Sequence, residues 1–193
     1  MSLSTLMVAA VQLSSQDDVD ANLIQCRQWV ERAARAGAQL ILLPENFAYF
    51  GPDAGRLRMA EPLAAPVPDV REAPVQAALA AWAREFGVTV AGGGMATRSP
   101  VAERPFNTCV VFGPDGRLAA HYHKVHLFDV SLADGTDLCE SSRTMPGSSL
   151  ATLAVGGFRV GLSICYDVRC PELYRGLVDA GADVIVVPAA FTL

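Results

Sequence analysis

The chain has 193 residues, 51% of them hydrophobic and 18% charged, with a formal net charge of −5. That length suits one domain, residues 1–193, with a proper core, and the composition excludes a disordered chain. No basic block argues for nucleic acid as the main partner, and no apolar run is long enough for a membrane span. Residues 6–12 read as a first buried strand. A polar stretch, 14–22, leads into a helix whose apolar face is Leu23, Cys26, Val30 and Ala33, closed by Gly37. Residues 40–43 are a short, wholly apolar strand, which predicts a parallel sheet covered on both faces. It stops at Pro44-Glu45-Asn46. Residues 49–74, rich in Pro, Gly and Ala, read as a surface excursion.

A second helix starts at Pro74 and turns Ala78, Leu79, Trp82 and Phe86 inward, with Gly87 ending it. Residues 88–91 are a third strand, so strands and helices alternate in an α/β layered protein. Gly92-Gly93-Gly94 lacks the lysine and hydroxyl of a phosphate loop and is read as a close backbone approach. Residues 107–112 and 118–123 form a hairpin around Gly113-Pro114-Asp115-Gly116. Residues 131–147 have no clear periodicity. A further hairpin, 151–155 with 158–164, delivers Cys165 to a tight connection before a helix that opens at Pro171. That helix ends near Gly181, and 184–187 form a last buried strand.

Strand ends ahead of helices are where α/β enzymes place reactive groups. Three such positions carry Glu45, Lys124 and Cys165. On its own stretch, Cys165 reads equally as a nucleophile or as a small buried hydrophobe. Of the 15 basic residues, Lys124 is the only lysine, a point charge in a background of arginine. A thiol needs a base to take its proton, which Glu45 can be, and an ammonium can hold an oxyanion. The rival is a Cys165–His pair, since His121, His123 and His126 cluster around Lys124. No carboxylate or cysteine stands at ligand spacing beside them, so solvated or structural roles are expected and no metal. Five cysteines, an odd count without close pairing motifs, and an N-terminus without a basic n-region point to reduced thiols in a cytoplasm.

Leu43-Pro44-Glu45, His123-Lys124-Val125-His126-Leu127-Phe128-Asp129 and Ile164-Cys165-Tyr166-Asp167-Val168-Arg169 resemble, in that order, the Glu, Lys and Cys motifs of the nitrilase superfamily of carbon–nitrogen hydrolases. Asn107-Thr108 and Ala189-Ala190-Phe191 add to the match, which runs from about Met7 to Phe191. Residues 138–147 are similar to the branch that hydrolyses deaminated glutathione, a relative of the omega-amidases. The resemblance implies an α-β-β-α sandwich, a homodimer or larger homo-oligomer, a small-molecule amide substrate and no metal or organic cofactor. It implies that Cys165 attacks the carbonyl while Glu45 takes its proton, and that Lys124 and the Tyr166 N–H hold the oxyanion. A thioester, an acid and ammonia follow. Glu140 matches a second glutamate that positions substrate and Lys124.

Arg169, four residues past Cys165, is read as a substrate-carboxylate contact, against an internal ion pair with Asp167 or Glu172. His123 stands where the branch commonly has arginine, with little consequence expected. Members of the family continue beyond the point where this chain stops, so a domain lacking its C-terminal portion is expected. That allows a reading of another class, a non-catalytic fragment that depends on assembly. Within the family, the runner-up substrate is a short omega-amide of a keto acid.

Overall fold

A computed structural model describes residues 5–63, 66–131, 135 and 137–191. Strands β1 (Val8–Ala10), β2 (Leu40–Leu42), β3 (Thr89–Thr97), β4 (Phe106–Phe112) and β5 (Leu118–His123) form one sheet in that order. β1, β2 and β3 run parallel, while β4 and β5 are antiparallel, so the sheet is mixed rather than all parallel. β1 is an edge strand. Its residues are exposed or half-buried, which corrects the expectation of a buried first strand.

Helix α1 (Val19–Arg35) begins where the Asp18 side chain accepts the Ala21 N–H at 3.0 Å. It buries Cys26 and Val30 as its periodicity predicts. Helix α3 (Pro74–Phe86) opens on proline and closes on Gly87 at φ 65°, where a side chain would be strained. Its buried face is Val75, Leu79, Trp82 and Ala83, with Ala78 and Phe86 only half-buried. Both helices cover one face of the first sheet through Val30, Ile41, Leu79, Val90 and Phe112.

The other face meets a second sheet of β8 (Thr152–Val155), β9 (Phe158–Leu162) and β10 (Val184–Val186), ordered β10-β9-β8. Leu40, Val111 and Tyr122 pack there against Val160, Leu162 and Ile164. Leu173 and Leu177 of α4 (Pro171–Asp179) cover the second sheet from outside. The layers are therefore α-β-β-α. Each large aliphatic side chain so buried contributes about 2 kcal/mol.

Two features lie in stretches read as irregular. Residues 49–74 contain α2 (Asp53–Arg58), and the 131–147 segment contributes β7 (Asp137–Cys139), paired with β6 (Asp129–Ser131). Part of that segment, and Thr192–Leu193, lie outside the described residues. The glycine triplet is within β3, not beyond its end. A Cβ on Gly93 would stand 2.0 Å from the Leu43 carbonyl oxygen, so the close backbone approach is real. Among the described residues, no helix is long and apolar enough to cross a membrane.

Candidate active site

Cys165 follows β9 and opens a tight 3-10 turn, Cys165–Arg169. Its φ is 47°, a left-handed conformation that costs a residue with a Cβ about 1–2 kcal/mol. Hydrogen bonds hold it there. The Cys165 N–H donates to the Pro188 carbonyl at 2.9 Å. Asp167, fully buried, accepts the Ile164 N–H at 2.9 Å and the Tyr122 hydroxyl at 2.8 Å on Oδ2. Its Oδ1 accepts the His126 N–H at 2.9 Å and lies 2.8 Å from His126 Nδ1. Sequence reasoning missed this role. The signal was an aspartate three residues past a strand residue, able to bond back to that residue's own N–H.

Glu45 lies three residues beyond β2 and is buried. Its Oε1 accepts from Lys124 Nζ at 3.1 Å and Asn107 Nδ2 at 2.8 Å. Its Oε2 accepts the Ala190 N–H at 3.0 Å. Asn107 opens a strand predicted from the sequence and, with Ala190, belongs to the family resemblance, but neither reading foresees their bonds to Glu45. Lys124 sits just past β5, 2% exposed, and its Nζ also donates to Glu140 Oε2 at 2.9 Å. Glu140 Oε2 is fixed in turn by the Phe128 N–H at 2.7 Å. Burial alone would lower the Lys124 pKa, but Glu45 and Glu140 outweigh it and the net shift is upward. The ammonium form is therefore the resting one.

The Cys165 thiol is pushed up to about 12, first by burial and then by the Glu45 charge, with Lys124 opposing. It rests as a thiol near neutral pH. A base must then take its proton as it attacks, and Glu45 is adjacent. The Tyr166 N–H donates to no group among the described residues, which leaves it available to an incoming oxygen.

These groups share a cavity of about 710 Å³, lined by Glu45, Lys124, Glu140, Cys165, Tyr166 and Arg169 among others. All six residues singled out from the sequence are thus brought together. Arg169 is exposed and forms no ion pair among the described residues: Asp167 is occupied as above, and Glu172 lies 3.8 Å from Arg175. The cavity also takes in Arg56 of α2, which the sequence reading left in a surface excursion.

None of the three histidines lines this cavity among the described residues. His126 faces Asp167, and His123 Nδ1 lies 2.8 Å from Thr108 Oγ1 with its ring stacked on Phe106. A Cys165–His pair therefore has no support in the geometry.

The deaminated glutathione amidase of Synechocystis is 40% identical over 96% of this chain and 66% of its own length. The human deaminated glutathione amidase is 36% identical over 96% of this chain and 56% of its own length. Human omega-amidase NIT2 is 32% identical over 99% and 66% respectively. This chain thus spans roughly half to two thirds of the curated relatives it matches. Among solved structures, the C. elegans NitFhit protein superposes with a TM-score of 0.85 at 28% identity, over 98% of this chain and 46% of that one. Saccharomyces cerevisiae Nit3, described as a member of branch 10 of the nitrilase superfamily, gives 0.80 at 29% identity over 97% and 65%. The model of the carbon-nitrogen hydrolase family matches residues 7–192. The chain belongs to the carbon-nitrogen hydrolase family.

Proposed function

We propose that this chain carries the chemistry of an amidase that works through a cysteine thioester, with Glu45, Lys124 and Cys165 as its catalytic residues. The observation that carries this reading is the buried Lys124 ammonium, 3.1 Å from Glu45 and 2.9 Å from Glu140 on the wall of the cavity that holds Cys165. Cys165 Sγ attacks the amide carbonyl carbon and its proton passes to Glu45. The carbonyl π pair moves to oxygen, held by Lys124 Nζ and the Tyr166 N–H. Collapse re-forms the carbonyl and breaks the C–N bond, and the leaving nitrogen takes the proton from Glu45. Water then gives a proton to Glu45 and attacks the thioester. The C–S bond breaks and the sulfur regains its proton. The balance is amide plus water to acid plus amine. Glu140 positions Lys124, and Arg169 meets a substrate carboxylate.

Deaminated glutathione is the substrate we favour, on the names of relatives 40% and 36% identical to this chain. Its scissile nitrogen belongs to cysteinylglycine, so the leaving group is that dipeptide's amine. Ammonia leaves only from a primary amide, such as the omega-amide of a keto acid. We further propose a homodimer or larger homo-oligomer, on the family resemblance, and a reducing cytoplasm, on an odd count of five cysteines without close pairing motifs.

The test is release of cysteinylglycine from deaminated glutathione by the purified chain, with Cys165→Ala as control. Release that vanishes in the variant supports the reading. Equal release by both would remove Cys165 from the chemistry. No release by either would favour a chain competent only within a larger assembly, which light scattering would size.

A further inference from the structure

The charges around the cavity do not cancel. Lys124 is shared between Glu45 and Glu140. Arg143 Nη1 pairs with Asp53 Oδ2 at 2.9 Å. That leaves two cations on the cavity wall, Arg56 and Arg169, and neither forms an ion pair among the described residues. Since Lys124 faces two carboxylates, the four cations and three carboxylates of the wall leave a surplus of one positive charge, on a chain whose net charge is −5.

Arg56 is the more telling of the two. It projects from α2, half-buried, and its guanidinium makes a single hydrogen bond among the described residues, to the Arg143 carbonyl at 3.3 Å. A guanidinium offers five N–H donors, so most of its capacity is unspent. Burial lowers its pKa, Arg143 adds to this, and the neighbouring charges of Glu140, Asp53 and Glu45 oppose it. Those carboxylates act from beyond ion-pair distance, so the N–H groups of a half-buried guanidinium are left for an anion that reaches them directly. A planar fork favours a carboxylate held by two bonds.

We infer that Arg56 is a second carboxylate anchor, so that the cavity selects amides with two carboxylates over amides with one. This rests on the amidase reading above. Arg169 rides the turn that carries Cys165 and takes the carboxylate nearer the scissile bond. Arg56 comes from a separate element and takes the farther one. In deaminated glutathione these are the keto-acid carboxylate and the glycine carboxylate. Short keto-acid omega-amides have no second carboxylate, and Arg56 would leave them without an advantage.

The experiment uses deaminated glutathione and the same molecule with its glycine carboxylate converted to an N-methylamide. Binding of each is measured by calorimetry to the Cys165→Ala protein, with Arg56 present and with Arg56→Gln. Turnover is measured in the Cys165 protein. Arg56→Gln should weaken binding of the diacid, and raise its KM, about tenfold or more, and so collapse the preference for diacid over methylamide. Arg56→Lys, which keeps the charge and loses the fork, should fall between. A purely structural role would move both ligands alike and lower the melting temperature. An unchanged preference, or no binding of either ligand, overturns the anchor. Binding that depends on Arg56 without release by the Cys165 protein would keep the anchor and sink the reading that this chain by itself is an amidase. Release with selectivity intact in Arg56→Gln would do the reverse.

Discussion

The Tyr122 hydroxyl donates to Asp167 Oδ2 across 2.8 Å, and both side chains are buried. The pair joins the last strand of the first sheet to the turn that holds Cys165. Asp167→Ala would strip acceptors from Tyr122, from the Ile164 N–H and from His126 together. Unfolding in urea should show a loss of about 3 kcal/mol or more. A loss below about 1 kcal/mol would contradict the clamp.

Lys124→Arg keeps the charge and replaces a compact ammonium with a branched group. Lys124 is 2% exposed and bonded to two carboxylates, so the larger head has no room to keep both contacts. Turnover should fall about a hundredfold or more with the fold intact. Substantial residual kcat would remove the case for a lysine-specific site.

The Cys165 thiol, raised to about 12 by burial and then by Glu45, should alkylate ever faster as pH rises past the ordinary thiol range. Glu45→Gln removes the neighbouring negative charge, so the alkylation profile should shift to lower pH while amide turnover is lost. Peptide mass spectrometry separates Cys165 from exposed Cys139. An unshifted profile would mean that Glu45 does not sense the thiol.

Arg169→Lys tests the nearer anchor. The side chain is exposed on the cavity wall without an ionic partner among the described residues. KM should rise about tenfold while kcat holds, because the lost bonds serve ground state and transition state alike. An unchanged KM counts against the carboxylate role.

His123 is held near 4, below its usual 6.5, by burial and by His121. The unfolded chain binds the proton first. Stability from this residue is full above about pH 6.5 and is lost as pH falls toward 4. The melting temperature should therefore drop across that window, and less steeply in His123→Gln. Equal slopes in both proteins would refute the assignment.

Much of this was legible in the sequence. Glu45, Lys124 and Cys165 sit at ends of apolar, period-two segments, and strand ends can be read from periodicity. The caps at Pro74, Gly87 and Pro171 were likewise visible. Contacts across the fold were not. Asn107 reaches Glu45 over 62 positions and Ala190 reaches it over 145, and no local pattern encodes such pairings. Arg56 lay in a stretch whose Pro, Gly and Ala content hid a helix of 6 residues, too short for periodicity to register. β1 misled because an apolar run signals strand, but whether the strand is central or at an edge depends on neighbours far along the chain.

The glycine at 93 carries a wider implication. Its α-carbon lies where a side chain would strike both the Leu43 carbonyl and Pro188. Leu43 leads directly to Glu45, and the Pro188 carbonyl anchors the Cys165 backbone. The spacing between Glu45 and Cys165 is therefore fixed by the Gly93 main chain, packed against the Leu43 carbonyl on one side and the Pro188 ring on the other. Arg56 stands on a separate piece, α2, whereas Arg169 shares the turn of Cys165. The α2 wall of the cavity can therefore be altered without moving the main chain that spaces Glu45 and Cys165.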